Sequence, residues 1–233
     1  MAPNPASDLA ALANLSILYE TGKLTPASPG GGGGGSASIK PVVPSKSLND
    51  HVTLHRGDIT VLTVDAIVNA ANQSLLGGGG VDGAIHRAAG PKLYLECKTL
   101  HGCETGSAKI TDAYELPCKK VIHAVGPIYN DYEPEISERE LAGCYRTALE
   151  LAVANGCASV AFSAISTGVY GYPSREAASV AITTVKEFLE GKDGNKIELV
   201  VFVVFERKDL IAYSEILPSV CPSPFPSLLS WAR

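Results

Sequence analysis

Apolar residues recur in two rhythms along this chain. Short apolar or alternating runs predict strands at VTLHRG (52–57), VDAIVNAA (64–71), AKIT (108–111), KVIHAVG (120–126), SVAFSAI (159–165) and IELVVFVVF (197–205). Most of these lack a polar face, so they are expected to be covered on both sides. Between them, apolar positions return every three or four residues and predict helices. These are VDGAIHRAAG (81–90), closed on a glycine, PKLYLECKTL (91–100), with Pro91 in its first turn, SERELAGCYRTALELAVANG (137–156), SREAASVAITTVKEFLEG (174–191) and RKDLIAYSEIL (207–217). Ser137 with Glu140 predicts a capping box, and Leu141, Cys144, Tyr145, Ala148, Leu151 and Ala152 form the apolar stripe behind it. Ser174 is the expected cap of the next helix and Gly191 its stop.

Strands alternating with helices predict an α/β protein, a three-layer α/β/α sandwich. In such sheets ligands sit beyond the carboxyl ends of the strands. Three unusual loops follow strands: the glycine run after VNAA, STGVYGYP after SAI, and ERKD after VVF. They are expected to converge on one site. Residues 1–50 read differently. DLAALANLSILYETGKL (8–24) predicts a short amphipathic helix that either docks on the domain or binds a partner. A Pro/Gly/Ser-rich tract with Gly30 to Gly35 follows and has linker composition. The expected division is an extension over 1–50, a domain over 51–217 and a tail over 218–233.

Composition narrows the partners. The 233 residues suit one domain with a tail, or two small domains, and 45% are hydrophobic, enough for a sizeable core. A net charge of -5 argues against a broad nucleic-acid face. Phosphate binding must then come from local amides or a helix N-terminus. The six cysteines form no CxxC pair and no Cys/His zinc spacing, so they read as reduced, partly buried thiols of an intracellular protein. No apolar run approaches the ~18 residues of a membrane span. MAPNPASDL lacks a basic segment followed by an apolar one, so no secretory signal is expected.

The stretch NQSLLGGGGVDGAIH (72–86) carries the strongest chemistry. Gly78, Gly80 and Gly83 formally match GxGxxG, yet Asn72 to Leu76 separate them from their strand, and no GK[ST] follows. What remains is a glycine-rich loop feeding a helix that starts near Val81, whose amides suit a diphosphate. Asp82 sits in the first turn. It either stabilises that turn or, beside a bound diphosphate, has a raised pKa and serves as proton acceptor or water-positioning group. His86, four residues on, shares its helix face. It either orients Asp82 or packs against it for stability alone.

Several stretches together resemble the MacroD-type macrodomains. They are GDIT (57–60), VDAIVNAAN (64–72), GGGGVDGAIH (77–86), ETGSAKIT (104–111), VIHAVGP (121–127), AISTGVYGYP (164–173) and VVFVVF (200–205), collinear over about 50–217. The resemblance implies a macrodomain fold with a central mixed sheet and a cleft for ADP-ribose. It implies hydrolysis of the ester between mono-ADP-ribose and acidic protein side chains, and deacetylation of O-acetyl-ADP-ribose. Two other activities remain open: a non-catalytic ADP-ribose reader, and a phosphatase acting on ADP-ribose 1''-phosphate. By motif match, Asp58 accepts from the adenine amino group, with Gly57 and Ile59 alongside, and Asn72, which otherwise reads as a turn asparagine, bonds the distal ribose. Gly77, Gly78, Gly79, Gly80 and Val81 wrap one side of the diphosphate and distal ribose, and Ala70, Ala71 and Asp82 join the ligand-binding set. Ile165, Ser166, Thr167, Gly168, Val169, Tyr170 and Gly171 form a second phosphate loop, with Tyr170 closing over the distal ribose. Phe205 either stacks on the ligand or is a core residue. Asn72, Asp82 and His86 are the implied catalytic set. No metal ligand spacing and no cofactor are expected. The partners are ADP-ribose and mono-ADP-ribosylated proteins, with no membrane, nucleic acid at most as ADP-ribosylated ends, a monomeric state, and a cytoplasmic or nuclear location. Ser163 stands where the family usually has proline, and Asp112-Ala113 replaces a shorter glycine-containing stretch.

Overall fold

The structure is a computed structural model that describes residues 12–26 and 45–223. Its strands are β1 (Val52–Arg56), β2 (Ala66–Ala70), β3 (Ser107–Asp112), β4 (Lys120–Val125), β5 (Ser159–Ser163) and β6 (Leu199–Val204). They form one sheet in the order β1-β6-β5-β2-β4-β3. Every neighbouring pair is parallel except β3 with β4. The 113–119 connection is too short for a parallel crossover, which needs a dozen residues or more, so β3 returns antiparallel at the edge. The sheet is therefore mixed, as the resemblance implies.

Seven helices accompany the described strands: α1 (Leu15–Glu20), α2 (Lys46–Asp50), α3 (Gly80–Ala89), α4 (Pro91–Thr99), α5 (Pro134–Ala154), α6 (Ser174–Leu189) and α7 (Arg207–Val220). The period-two geometry of the strands splits the core between two layers. Val68, Ile122, Phe162 and Phe202 pack on the side of α5, α6 and α7. Ile67, Val121, Ala161 and Val201 pack on the side of α3 and α4. This places the apolar runs as buried strands and confirms the three layers. Phe162 centres one core, with its ring 4.9 Å from Tyr145 and 6.4 Å from Phe202. Ser163 fits its buried position because its hydroxyl donates to the Val68 carbonyl at 2.8 Å.

Several local expectations are corrected. α5 begins at Pro134, ahead of Ser137, because proline presets the first turn. Ser137 lies inside the helix, and its hydroxyl accepts from the Asn130 amide at 3.2 Å. Ser174 is the first residue of α6 rather than a cap, and its hydroxyl donates to Asp209. Leu149 rather than Leu151 takes the fully buried place on α5. Among the described residues the N-terminal helix spans Leu15–Glu20, capped by Asn14, whose Oδ1 accepts from the Ile17 amide at 3.0 Å, and residues 8–11 of the expected segment lie outside the described residues.

α1 docks. Leu15 is fully buried in the same core as Phe162. The Tyr19 hydroxyl donates to the Cys221 carbonyl at 2.7 Å, and Asn49 Nδ2 donates to the Pro222 carbonyl at 3.0 Å. Both ends of the described chain thus pack against each other, and α7 continues past residue 217. The glycine tract 30–35 and residues 224–233 lie outside the described residues. Leu15→Ala is expected to cost ~2–5 kcal/mol, the usual loss for a buried leucine, read from urea unfolding. An unchanged midpoint would show that α1 does not dock in solution.

Candidate active site

The glycine loop between β2 and α3 is shaped by backbone freedom at two positions. Gly77 has φ +85° and Gly80 φ +58°, in the region that side chains resist. Gly79 caps α3 without a side chain, so its first-turn amides receive no side-chain acceptor. Asn72 staples the loop. Its Oδ1 accepts from the Ser74 amide at 3.0 Å and hydroxyl at 2.6 Å, and its Nδ2 donates to the Gly77 carbonyl at 2.9 Å. Asn72 is therefore a turn asparagine that also lines the cleft.

Asp82 is only 4% exposed, in the first turn of α3. Its Oδ1 accepts from Asn69 Nδ2 at 2.7 Å. Its Oδ2 lies toward Gly78, where an added Cβ would stand 3.1 Å from it and 3.3 Å from Asn72 Nδ2. Burial pushes the Asp82 carboxyl above its ordinary pKa, while the Asn69 hydrogen bond and nearby His86 pull the other way. His86 Nε2 stands 3.5 Å from Asp82 Oδ1. That is ion-pair range, but no hydrogen bond is aligned there, and this nitrogen has no hydrogen-bond partner among the described residues. His86 thus supports Asp82 through space and does not line the cleft.

Behind Asp82 lies a polar chain that sequence reasoning missed. Asn69 and His123 are paired residues of β2 and β4, both fully buried. Asn69 Nδ2 is 3.2 Å from His123 Nδ1, so that nitrogen accepts. His123 Nε2 then carries the proton toward the Thr111 hydroxyl at 3.0 Å. Burial, with His86 adding to it, pulls the His123 pKa down to about 3 and keeps the ring neutral. Donor atoms of His86, Cys97 and His123 lie within 4.8 Å of one another, a possible metal grouping from three separate elements that linear spacing could not reveal. None of the three lines the cleft, and burial raises the Cys97 thiol to about 12, which opposes the thiolate a metal needs. All six cysteines are free and buried, where only part of them was expected to be buried.

The second loop follows β5. Ser166 has φ +66°, and its carbonyl accepts from the Tyr172 amide at 3.0 Å. The Gly168 and Tyr170 carbonyls accept from Gly171 and Tyr129 at 3.0 and 2.9 Å. Among the described residues, the amides of 166–170 donate to no other backbone group. With the Ser166, Gly168 and Tyr170 carbonyls committed and the 166–170 amides giving no backbone bond, the loop presents an anion-binding face.

The two loops enclose a cleft of about 390 Å³. Of the expected residues, Ala70, Ala71, Asn72, Gly78, Gly79, Gly80, Val81, Asp82, Ile165, Ser166, Gly168, Val169 and Tyr170 line it. Gly77, Thr167 and Gly171 belong to the same loops without lining it. Gly57, Asp58 and Ile59 sit after β1. There Asp58 Oδ1 accepts from the Thr60 amide at 2.9 Å and caps a 3₁₀ turn, and the Ile59 side chain is buried in the core. Phe205 is 79% exposed, so it is not a core residue, and it does not line the cleft. Gly126 and Ala164 line it unexpectedly, and Glu206 brings in the ERKD loop that was expected to converge here. All three follow strand ends, the one signal that could have found them.

The buried carboxylate has a measurable consequence. A folded-state pKa above the unfolded value means that the fold loses stability as pH rises from the ordinary 3.8 through the raised value. Asp82→Asn removes that loss. Its melting temperature is expected to exceed the parent's by a few degrees at neutral pH, with the gap closing as pH falls toward the ordinary carboxylate range. A gap independent of pH in thermal melts would contradict this.

Comparison with known proteins agrees with this geometry. Residues 68–181 match the Macro domain family model. The chain is 56% identical to the Macro domain-containing protein CT2219 of Chlorobaculum tepidum over 72% of this chain and 97% of that protein. It is also 56% identical to the ADP-ribose glycohydrolase MACROD2 of Xenopus laevis, over 76% of this chain but 42% of that protein. The Trypanosoma brucei macrodomain solved in complex with ADP-ribose superposes with a TM-score of 0.69 at 44% identity, covering 77% of this chain and 74% of that one. The chain spans about two-fifths of the length of the MACROD2 relatives it matches, between 37% and 42%. With its mixed six-stranded sheet, its two amide-lined loops and an acid between them, this chain belongs to the macrodomain family.

Proposed function

We propose that this protein binds ADP-ribose in the cleft and hydrolyses it from modified acidic side chains of proteins, with O-acetyl-ADP-ribose as a second ester substrate. The observation that carries this reading is the placement of Asp82. A pure anion cradle gains nothing from a buried carboxylate between its two loops, since the charges repel. A hydrolase gains a group that accepts a proton or holds a water close to the bond. The MACROD2 relatives are named ADP-ribose glycohydrolases, and the trypanosomal relative was solved with ADP-ribose bound, both in keeping with this reading.

In the proposed mechanism the loop amides neutralise the diphosphate without lysine or arginine, in keeping with the chain's net charge of -5. Asn72 fixes the glycine loop and faces the distal ribose. Asp82 Oδ2, on the cleft side, positions or deprotonates a water that attacks the anomeric carbon or the ester carbonyl. Asn69 holds the other oxygen of Asp82 in place, and His86 adds its field. The reading needs no metal, because Asp82 supplies the base. It implies a monomer acting on mono-ADP-ribosylated proteins in the cytoplasm or nucleus. Asp58 and Phe205, beyond the cleft as described, are assigned to the adenine end.

Asp82→Ala is expected to lower release of ADP-ribose from ADP-ribosyl-glutamate by about 10²–10⁴-fold, the usual worth of a general base, with ADP-ribose affinity retained. Hydrolysis in oxygen-18 water then identifies the cleaved bond: label in the ribose marks anomeric attack, and label in the released carboxylate marks acyl attack. Tight ADP-ribose binding with no release by the parent protein would establish a reader module instead.

A further inference from the structure

The segment ERKD (206–209), third of the loops that follow strands, takes no part in the chemistry above beyond the edge position of Glu206. Its side chains nevertheless reach into the second phosphate loop. Lys208 Nζ donates to the Thr167 carbonyl at 2.5 Å. Asp209 is 3% exposed, and its two oxygens are divided. Oδ2 accepts from the Thr167 hydroxyl at 3.2 Å, and Oδ1 accepts from the Ser174 hydroxyl at 2.7 Å. An acid in the first turn of α7 is ordinarily explained by the helix dipole. Here α7 has no side-chain cap, and both oxygens point instead at the loop and at the first residue of α6.

The peptide between Thr167 and Gly168 explains why this matters. A trans peptide directs its carbonyl and its N–H oppositely. Holding the Thr167 carbonyl on Lys208 therefore turns the Gly168 amide the other way, and Gly168 lines the cleft. Gly168 has no Cβ to resist rotation of that peptide. If it turned over, a carbonyl dipole rather than an amide would face an anion. The loop's other fixed carbonyls are held by backbone amides, but Thr167 depends on α7.

We propose that Lys208 and Asp209 are positioning residues for anion binding: they clamp Thr167 so that the Gly168 amide faces the diphosphate. The inference rests on the ADP-ribose reading for its ligand, but the clamp itself is a property of the free protein.

The full chain is compared with Lys208→Met and Asp209→Asn by calorimetry against ADP-ribose and by amide hydrogen exchange without ligand. Each variant is expected to bind roughly tenfold more weakly, the scale of a lost charge-assisted hydrogen bond. Exchange should quicken at the Gly171 and Tyr172 amides, which donate to the Gly168 and Ser166 carbonyls, and not in the sheet. Combining Thr167→Val with Asp209→Asn should add little, since both act on the same contact. The loss with Lys208→Met should persist at about 1 M salt, where a distant charge is screened. Parental affinity together with parental exchange in the variants overturns the proposal. So does a Lys208→Met loss that disappears at high salt, which would mark a field effect alone. If Asp209→Asn fails to fold, half-exposed Lys208 still carries the test. If the parent protein does not bind ADP-ribose, the functional reading falls, and the exchange measurement alone decides the clamp.

Discussion

Asp82 is ionisable, almost shielded from water, and placed beside surfaces built to attract anions. Its charged form is disfavoured by burial and by any phosphate that enters the cleft. The 2.7 Å hydrogen bond from Asn69 opposes both effects and fixes which oxygen faces the cleft. Much of the surrounding architecture serves that contact. Asn69 must be held in turn, and it has the neutral His123 beside it at 3.2 Å and the sheet beneath it. His123 Nδ1 accepts because Asn69 presents an N–H to it, which leaves the ring proton on Nε2 beside Thr111. The arrangement resists solvent and protonation alike, since no member of the chain behind Asp82 reaches the surface.

Sheet topology makes that chain possible. β2 and β4 are separated by about fifty residues of sequence, yet they pair in parallel with Asn69 opposite His123. Period-two geometry turns both side chains toward α3 and α4, away from the core around Phe162. α3 starts directly above them, so its first turn delivers Asp82 onto Asn69. The same short loop that positions α3 also supplies the glycine amides. Cradle and acid are one piece of backbone, and neither can move without the other.

The second loop is built differently. Its Ser166, Thr167, Gly168 and Tyr170 carbonyls are tied off one at a time, by its own amides, by Tyr129 and by the start of α7. α7 is in turn tied at its far end to the N-terminal helix through Tyr19 and to α2 through Asn49. α1 and α2, which composition sets apart as part of an extension, therefore pack as part of the domain.

The linear pattern by itself determined the strands, the long helices, the three layers, and the glycine loop with its acid. These depend on residues close in sequence: apolar periodicity, glycine at positive φ, and an aspartate in a first helical turn. It misjudged Ser137 and Ser174, because a serine before a helix reads as a cap whether the helix begins there or one turn earlier. It left His86 divided between two roles. It left Phe205 divided as well, and exposure removes only the core reading. Asn69 and His123 lie inside stretches that read as apolar strands, and nothing in either stretch names the other as its neighbour. ERKD reads as a loop near the site, but nothing in it points to Thr167. Only the tertiary structure could pair Asn69 with His123, bring Lys208 and Asp209 to Thr167, and bury Asp82 enough to shift its proton. Register, packing and desolvation arise between segments distant in the chain, and no local pattern encodes them.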